Sequence, residues 1–92
     1  KMNNYKRLET RIKNLEQKAI ELNQQKYELI KEIGELADEI IDEFIQQKIE
    51  KKKEYLMEVW RFKELLYQIK NLDPNTYSYY TIILEKIETK LQ

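Results

Sequence analysis

A heptad repeat of apolar residues from Tyr5 to Ile40 constrains the fold more than any other feature of the chain. Its apolar residues recur alternately three and four positions apart, which places them on one face of an α-helix. The a positions are Tyr5, Ile12, Ala19, Lys26, Ile33 and Ile40, and the d positions are Leu8, Leu15, Leu22, Leu29 and Leu36. The repeat predicts a long helix that buries this stripe against another helix.

A polar patch at residues 23–26 interrupts the repeat and leaves two interpretations. A loop there would give two shorter helices of an up-down four-helix bundle. We expect a continuous helix, because Leu22 and Leu29 lie one heptad apart and a loop would keep that register only by chance. Lys26 at an a position then fixes alignment and oligomeric state at some loss of stability.

The apolar stripe widens after residue 28, which predicts two different parts. Over residues 3–28 the flanking e and g positions are mostly charged or polar, as in a two-stranded coiled coil. Beyond them six more apolar residues join the stripe, as in a helix of a bundle: Ile30, Ala37, Ile41, Phe44, Ile45 and Ile49. We expect one helical domain over residues 1–92, with a coiled-coil stalk at 3–28 and a three-helix module at 29–91.

The rest of the chain predicts a helical hairpin after the long helix. We place a turn within residues 48–53 and a second helix over 53–71; one unbroken helix as far as Leu72 is the competing interpretation. Asp73 and Pro74 mark the next boundary, because Asp caps a helix and Pro suits its first position. A last helix over 74–91 completes an all-α fold.

A chain of 92 residues buries only part of its apolar surface, so a second copy is a natural source of further core. We predict a homodimer. Ile at a with Leu at d favours a parallel pair, with Arg11 facing Glu16 of the second chain. An antiparallel pair, with basic residues on acidic ones, is the alternative. The predicted dimer seam comprises Leu8, Ile12, Leu15, Ala19, Leu22, Lys26, Leu29 and Ile33.

The chain contains no cysteine and no histidine. That composition excludes disulfides, the usual zinc sites, cysteine nucleophiles and histidine bases. We assign no cofactor. No apolar run reaches the ~18 residues of a membrane span, so we expect no membrane association. Absence of cysteine fits the cytoplasm.

Charge is neutral overall but divided into blocks along the sequence. Residues 1–26 are mainly basic, residues 27–50 mainly acidic, and residues 51–70 basic again. Folding the third block back on the second would place opposite charges side by side. The blocks therefore predict ion pairs between the first and second helices.

Residues 29–37 contain Glu32 and Glu35 three positions apart, with Gly34 between them and Leu36 directly after them. This segment resembles the first metal-binding helix of the MazG-like, all-α nucleotide pyrophosphohydrolases. The resemblance implies a magnesium site completed by carboxylates of the next helix, here Glu54 and Glu58, although Lys31 stands where the family has a further glutamate. Solvated glutamates at this spacing are also common on helix surfaces.

Two further groups of residues could contact a partner. Tyr77 and Tyr79, together with the acidic residues Asp38 and Asp42, form a predicted protein-binding surface. Lys51, Lys52 and Lys53 could contact phosphates, but neutral net charge argues against a dedicated nucleic-acid binder. We expect a non-enzymatic protein–protein interaction module, such as a small regulator or inhibitor from a phage or mobile element. A degenerate pyrophosphohydrolase and a nucleic-acid-associated regulator are the alternatives.

Overall fold

The computed structural model describes residues 2–92 as three α-helices with no strand. Helix α1 spans Met2–Ile45, α2 spans Lys52–Gln68 and α3 spans Pro74–Leu91. Together they account for 86% of the chain. The all-α prediction is confirmed, with a long first helix and two shorter helices packing against it. Helix α1 runs without a break through residues 23–26, so the alternative of a loop there is wrong.

Helix α1 ends in a Schellman motif. The backbone N–H of Lys48 donates to the carbonyl of Glu43 at 2.9 Å, and that of Gln47 donates to Phe44 at 3.1 Å. Gln47 adopts a left-handed conformation with φ 56°, the backbone state that ends many helices. The chain then turns through residues 46–51, close to the predicted turn. The alternative of one unbroken helix to Leu72 is wrong.

Helix α3 begins at the predicted boundary. Pro74 occupies the first turn and Asp73 is the N-cap. The Asp73 carboxylate accepts from the Thr76 backbone N–H at 3.3 Å and from the Thr76 hydroxyl at 3.0 Å. These bonds satisfy donors that the start of a helix would otherwise leave without partners.

The hydrophobic core lies at one end of the molecule, where α2 and α3 pack against the C-terminal half of α1. Its buried residues are Ile33, Ala37, Tyr55, Val59, Phe62, Leu66, Ile69, Leu84 and Ile87. Helix α1 contributes only Ile33 and Ala37 to this set. Most of α1 therefore takes no part in the core.

The molecule is a rod of 71 × 18 × 18 Å with a radius of gyration of 20.3 Å. A compact domain of this length would have a radius of gyration of about 12 Å. Helix α1, at 1.5 Å per residue, is about 66 Å long, whereas α2 and α3 are each less than about 30 Å. The N-terminal half of α1 therefore extends beyond the other two helices as a single helix.

The predicted charge pairing between α1 and α2 is wrong for the described residues. Among those residues, the ion pairs between helices link α2 to α3. The Lys63 amine lies 2.6 Å from a Glu88 oxygen and 3.8 Å from a Glu85 oxygen. Other ion pairs lie within one helix or at its N-terminus, such as Lys13 with Glu9 and Arg61 with Glu58. The acidic residues of α1 therefore form no ion pair with α2 within the described residues.

Gly34 lies within α1 opposite Tyr80 of α3. A Cβ at this position would lie 3.6 Å from the Tyr80 hydroxyl oxygen, an ordinary van der Waals distance. Since Ala fits and favours helix by about 1 kcal/mol over Gly, we expect Gly34→Ala to raise the free energy of unfolding by about that amount. Thermal denaturation checks this, with the bulkier Gly34→Leu expected to lower stability; a lower midpoint for Gly34→Ala would contradict it.

Candidate protein-interaction surface

The apolar stripe of the stalk is exposed along its whole described length, from Tyr5 onward. Exposed fractions are 48% for Leu8, 62% for Leu15, 66% for Leu22 and 40% for Leu29. The remaining members of the predicted seam in this part, Ile12, Ala19 and Lys26, are also exposed. Neither α2 nor α3 covers them. Leucine and isoleucine side chains in a continuous row are the feature that a partner helix buries.

Ile33, the last member of the predicted seam, lies in a different environment. It is 4% exposed and belongs to the core that α1 forms with α2 and α3, so it is not free to contact a second chain. On the neighbouring d and g rows, Leu36 remains 45% exposed and Glu32 and Glu39 are exposed. Past Leu29, the open stripe therefore continues through Leu36 of the d row, beside the exposed g residues Glu32 and Glu39.

An open groove of about 700 Å³ continues this stripe between α1 and α2. Its floor is apolar and its rim is charged. Lining residues include Leu36, Ile40, Ile49, Phe62 and Leu65 on the floor, and Glu43, Lys48, Glu50, Lys51, Glu54, Glu58 and Arg61 at the rim. The groove exists because α1 and α2 both pack against α3 more extensively than against each other.

Tyr55 is the polar link between α1 and α2 at this groove. Its hydroxyl donates to the carbonyl oxygen of Ile40 at 2.6 Å, and the side chain is 8% exposed. Burial, followed by the nearby charge of Glu43, raises the pKa of Tyr55 to about 12. Because the folded state holds this proton more tightly than the unfolded chain, the stabilisation is complete below about pH 10 and declines toward about pH 12.

Replacing Tyr55 with Phe should therefore show a pH-dependent penalty. Below pH 10 we expect a loss of about 1 kcal/mol, since the Ile40 carbonyl loses its donor. The difference from the parent protein should narrow at higher pH, where the parent loses up to about 1.4 kcal/mol per pH unit from this group. Urea unfolding of both proteins at pH 8, 10 and 11 measures that difference; a constant difference would contradict it.

The four residues of the predicted protein-binding surface do not form one cluster. Asp38 accepts a hydrogen bond from the Tyr80 hydroxyl at 3.0 Å, and the Tyr79 ring packs edge-on against the Tyr80 ring with centroids 4.9 Å apart. Burial, then this hydrogen bond and the Asp38 charge, raise the pKa of Tyr80. Asp42 instead accepts from the Gln46 side-chain amide at 2.8 Å. Asp38 and Tyr79 are thus joined through Tyr80.

Tyr77 belongs to a separate cluster between α2 and α3. Its ring meets the Tyr67 ring edge-on with centroids 6.2 Å apart, and the Lys70 amine lies 5.4 Å from the Tyr77 centroid and 5.7 Å from that of Tyr67. These distances suit cation–π contacts. Sequence reasoning did not identify Tyr67 and Lys70, because contacts between two helices leave no periodic signal.

The proposed metal ligands lie on two helices. Glu54 and Glu58 of α2 line the groove, whereas Glu32 and Glu35 of α1 do not. Across the part of the chain that the structure describes, no three Asp, Glu, His or Cys residues lie close enough to hold a metal ion. The likeness to pyrophosphohydrolases therefore rests on the sequence of residues 29–37.

The basic run of Lys51, Lys52 and Lys53 lies at the start of α2 and is exposed. The Lys51 amine lies 4.0 Å from a Glu54 oxygen, with both side chains more than two-thirds exposed. An ion pair in such a solvated position contributes little to stability. The run comprises the N-cap residue Lys51 and the first two residues of α2.

Comparisons with known proteins identify no relative of this chain. Over residues 2–92 no helix combines the length and apolar character required to cross a bilayer. The chain matches no protein-family model, no curated protein and no solved structure.

Proposed function

We propose that the protein is a non-enzymatic protein–protein interaction module that pairs with a second copy of itself through the stalk. The observation that supports this is the long row of exposed side chains, most of them Leu or Ile, on the N-terminal half of α1. Monomeric proteins rarely expose an apolar row of this length, whereas coiled-coil helices bury one.

The length of the uncovered helix supports the same proposal. Helices of this kind gain most of their stability from packing an amphipathic face, and the described part of the stalk contacts neither α2 nor α3. A partner helix along Leu8, Leu15 and Leu22 would supply that packing. Ala19 and Lys26 in the same row would tune its spacing and alignment.

The remaining surfaces would then be available to a further protein. Helical surfaces bind partners through rows of apolar or charged anchors, and here Asp38 with Tyr79 and the separate Tyr77 cluster are the candidates. A composition rich in Lys, Ile, Asn and Tyr is typical of AT-rich genomes, and this supports a regulator or inhibitor encoded by a phage or mobile element. Absence of cysteine supports the cytoplasm as its compartment.

Light scattering after size exclusion tests the proposal on the parent protein, Leu15→Asp and Gln24→Asp. Each variant introduces Asp into the stalk, at a seam position in the first and at a solvent-facing f position in the second. We expect dimers for the parent and Gln24→Asp. Leu15→Asp should weaken the dimer at least about a hundredfold, because it places a carboxylate in an apolar seam of both chains. Equal masses for the two variants would contradict the proposal.

A further inference from the structure

We infer that the second copy binds antiparallel, with its basic residues 5–26 lying along the acidic residues 28–43 of the first copy and reaching the groove between α1 and α2. The inference rests on the proposed self-association and adds orientation, register and the occupant of the groove. By two-fold symmetry, each copy supplies one basic and one acidic half.

Charge complementarity favours this occupant. Residues 5–26 carry six basic side chains against three glutamates, and residues 28–43 carry seven acidic side chains against Lys31 alone. Within the described residues, none of the ion pairs involves residues 28–43. A basic amphipathic helix would neutralise this acidic surface, and the protein's own stalk is such a helix.

One register brings most of the apolar seam residues together and sets basic residues opposite acidic ones. Antiparallel coiled coils pair a with d positions in the core and g with g positions at the edge. Aligning Ile12 of one copy with Leu36 of the other pairs Ala19 with Leu29 and Lys26 with Leu22. The same alignment places Arg11 opposite Glu39, and Lys18 opposite Glu32. Symmetry repeats each ion pair, giving four per dimer.

The structure leaves the required positions open. Leu29 and Leu36 are 40% and 45% exposed, and Glu32 and Glu39 are exposed beside them. The a and e rows of the same segment, by contrast, face α2 and α3 through Ile33 and Ala37. A partner helix can therefore approach along the d and g rows, with Leu15 of the second copy, which this register sets opposite the buried Ile33, lying over the edge of the core.

The parallel arrangement satisfies fewer of these positions. It gains the pair between Arg11 and Glu16, but it stacks Lys26 on Lys26 in the core and aligns the acidic halves with each other. Like charges placed side by side oppose association.

The groove between α1 and α2 gains an occupant in the antiparallel dimer. In this register, Leu8 of the second copy lies beside Ile40 and its Ile12 beside Leu36, both of which line the groove. The basic stalk enters past Glu43 at the rim. It would act as a fourth helix beside the α1, α2 and α3 helices of the first copy.

Cysteine cross-linking tests the orientation, because the chain has no cysteine of its own. Single variants Ile12→Cys and Leu36→Cys are oxidised separately and as a refolded equal mixture, and the products are resolved without reductant. We expect covalent dimers in the mixture, absent from either variant alone. Self-linked Ile12→Cys would show a parallel dimer, and a dimer by mass with no cross-link in the mixture would exclude this register; either result overturns the inference.

Charge reversal provides a second test that needs no cross-link. Lys18→Glu and Glu32→Lys should each raise the dissociation constant several-fold, and the double variant should restore it toward that of the parent. Additive weakening in the double variant would overturn the proposed pairing. A parent protein that is monomeric by mass overturns the proposed function itself, whereas a dimer without these couplings overturns only the antiparallel register.

Discussion

Leu84→Ala is expected to lower the free energy of unfolding by about 3–5 kcal/mol. Leu84 has no exposed surface and lies on α3, the helix that packs against both α1 and α2. Removing its side-chain carbons deletes buried apolar contacts and leaves a cavity that the surrounding helices fill only in part. Because small domains are stable by about 5–15 kcal/mol, the loss removes a large part of the stability of the three-helix module.

Ile82→Ala is the matched control for this substitution. Ile82 lies on the same helix and is 54% exposed, so its truncation should change stability by less than about 1 kcal/mol. Guanidinium unfolding followed by circular dichroism gives both values. Equal losses for the two variants would show that α3 does not present the Leu84 face to the core.

Loss of helix in the stalk is the second large effect expected, and it follows from dissociation of the dimer. Residues 2–29 amount to about a third of the helical residues and lie outside the described core. A single helix with no packed face is only marginally stable in water. Leu15→Asp should therefore lose up to about a third of the ellipticity at 222 nm, because its stalk no longer has a partner.

Dilution separates this effect from a local effect of the new Asp. The parent protein should lose the same fraction of ellipticity as its concentration falls below the dissociation constant, while Gln24→Asp should follow the parent. Fluorescence of Trp60 on α2 reports on the three-helix module and should stay constant over the same range. Full helicity of Leu15→Asp at every concentration would mean that the stalk is stable alone.

Long-range periodicity allowed the fold to be predicted from the sequence. The heptad repeat identified α1 through residues 23–26, and Asp73 with Pro74 identified the start of α3. Helix α1 ends at Ile45, four residues before Ile49, the last residue assigned to its apolar stripe. The helix is ended there by Gln47 in a left-handed conformation, a role for which the sequence offers neither Gly nor Asn.

The contacts between helices were less accessible to sequence reasoning. Blocks of charge predicted ion pairs between α1 and α2. Helix α3 lies against both of these helices, and Lys63 of α2 forms its ion pair with Glu88 of α3 instead. Tyr77 and Tyr79 are two positions apart and consequently point to different sides of α3, which periodicity already implied. The grouping of Tyr79 with Asp38 through Tyr80 depends on how α1 and α3 dock, and no local pattern encodes it.

Sedimentation equilibrium of the unmodified protein over a hundredfold range of concentration tests most directly whether the exposed stripe of α1 is a self-association surface. The monomer mass is 11.4 kDa. We predict a reversible approach to twice that mass as concentration rises. A mass that stays at 11.4 kDa throughout would contradict self-association through the stalk.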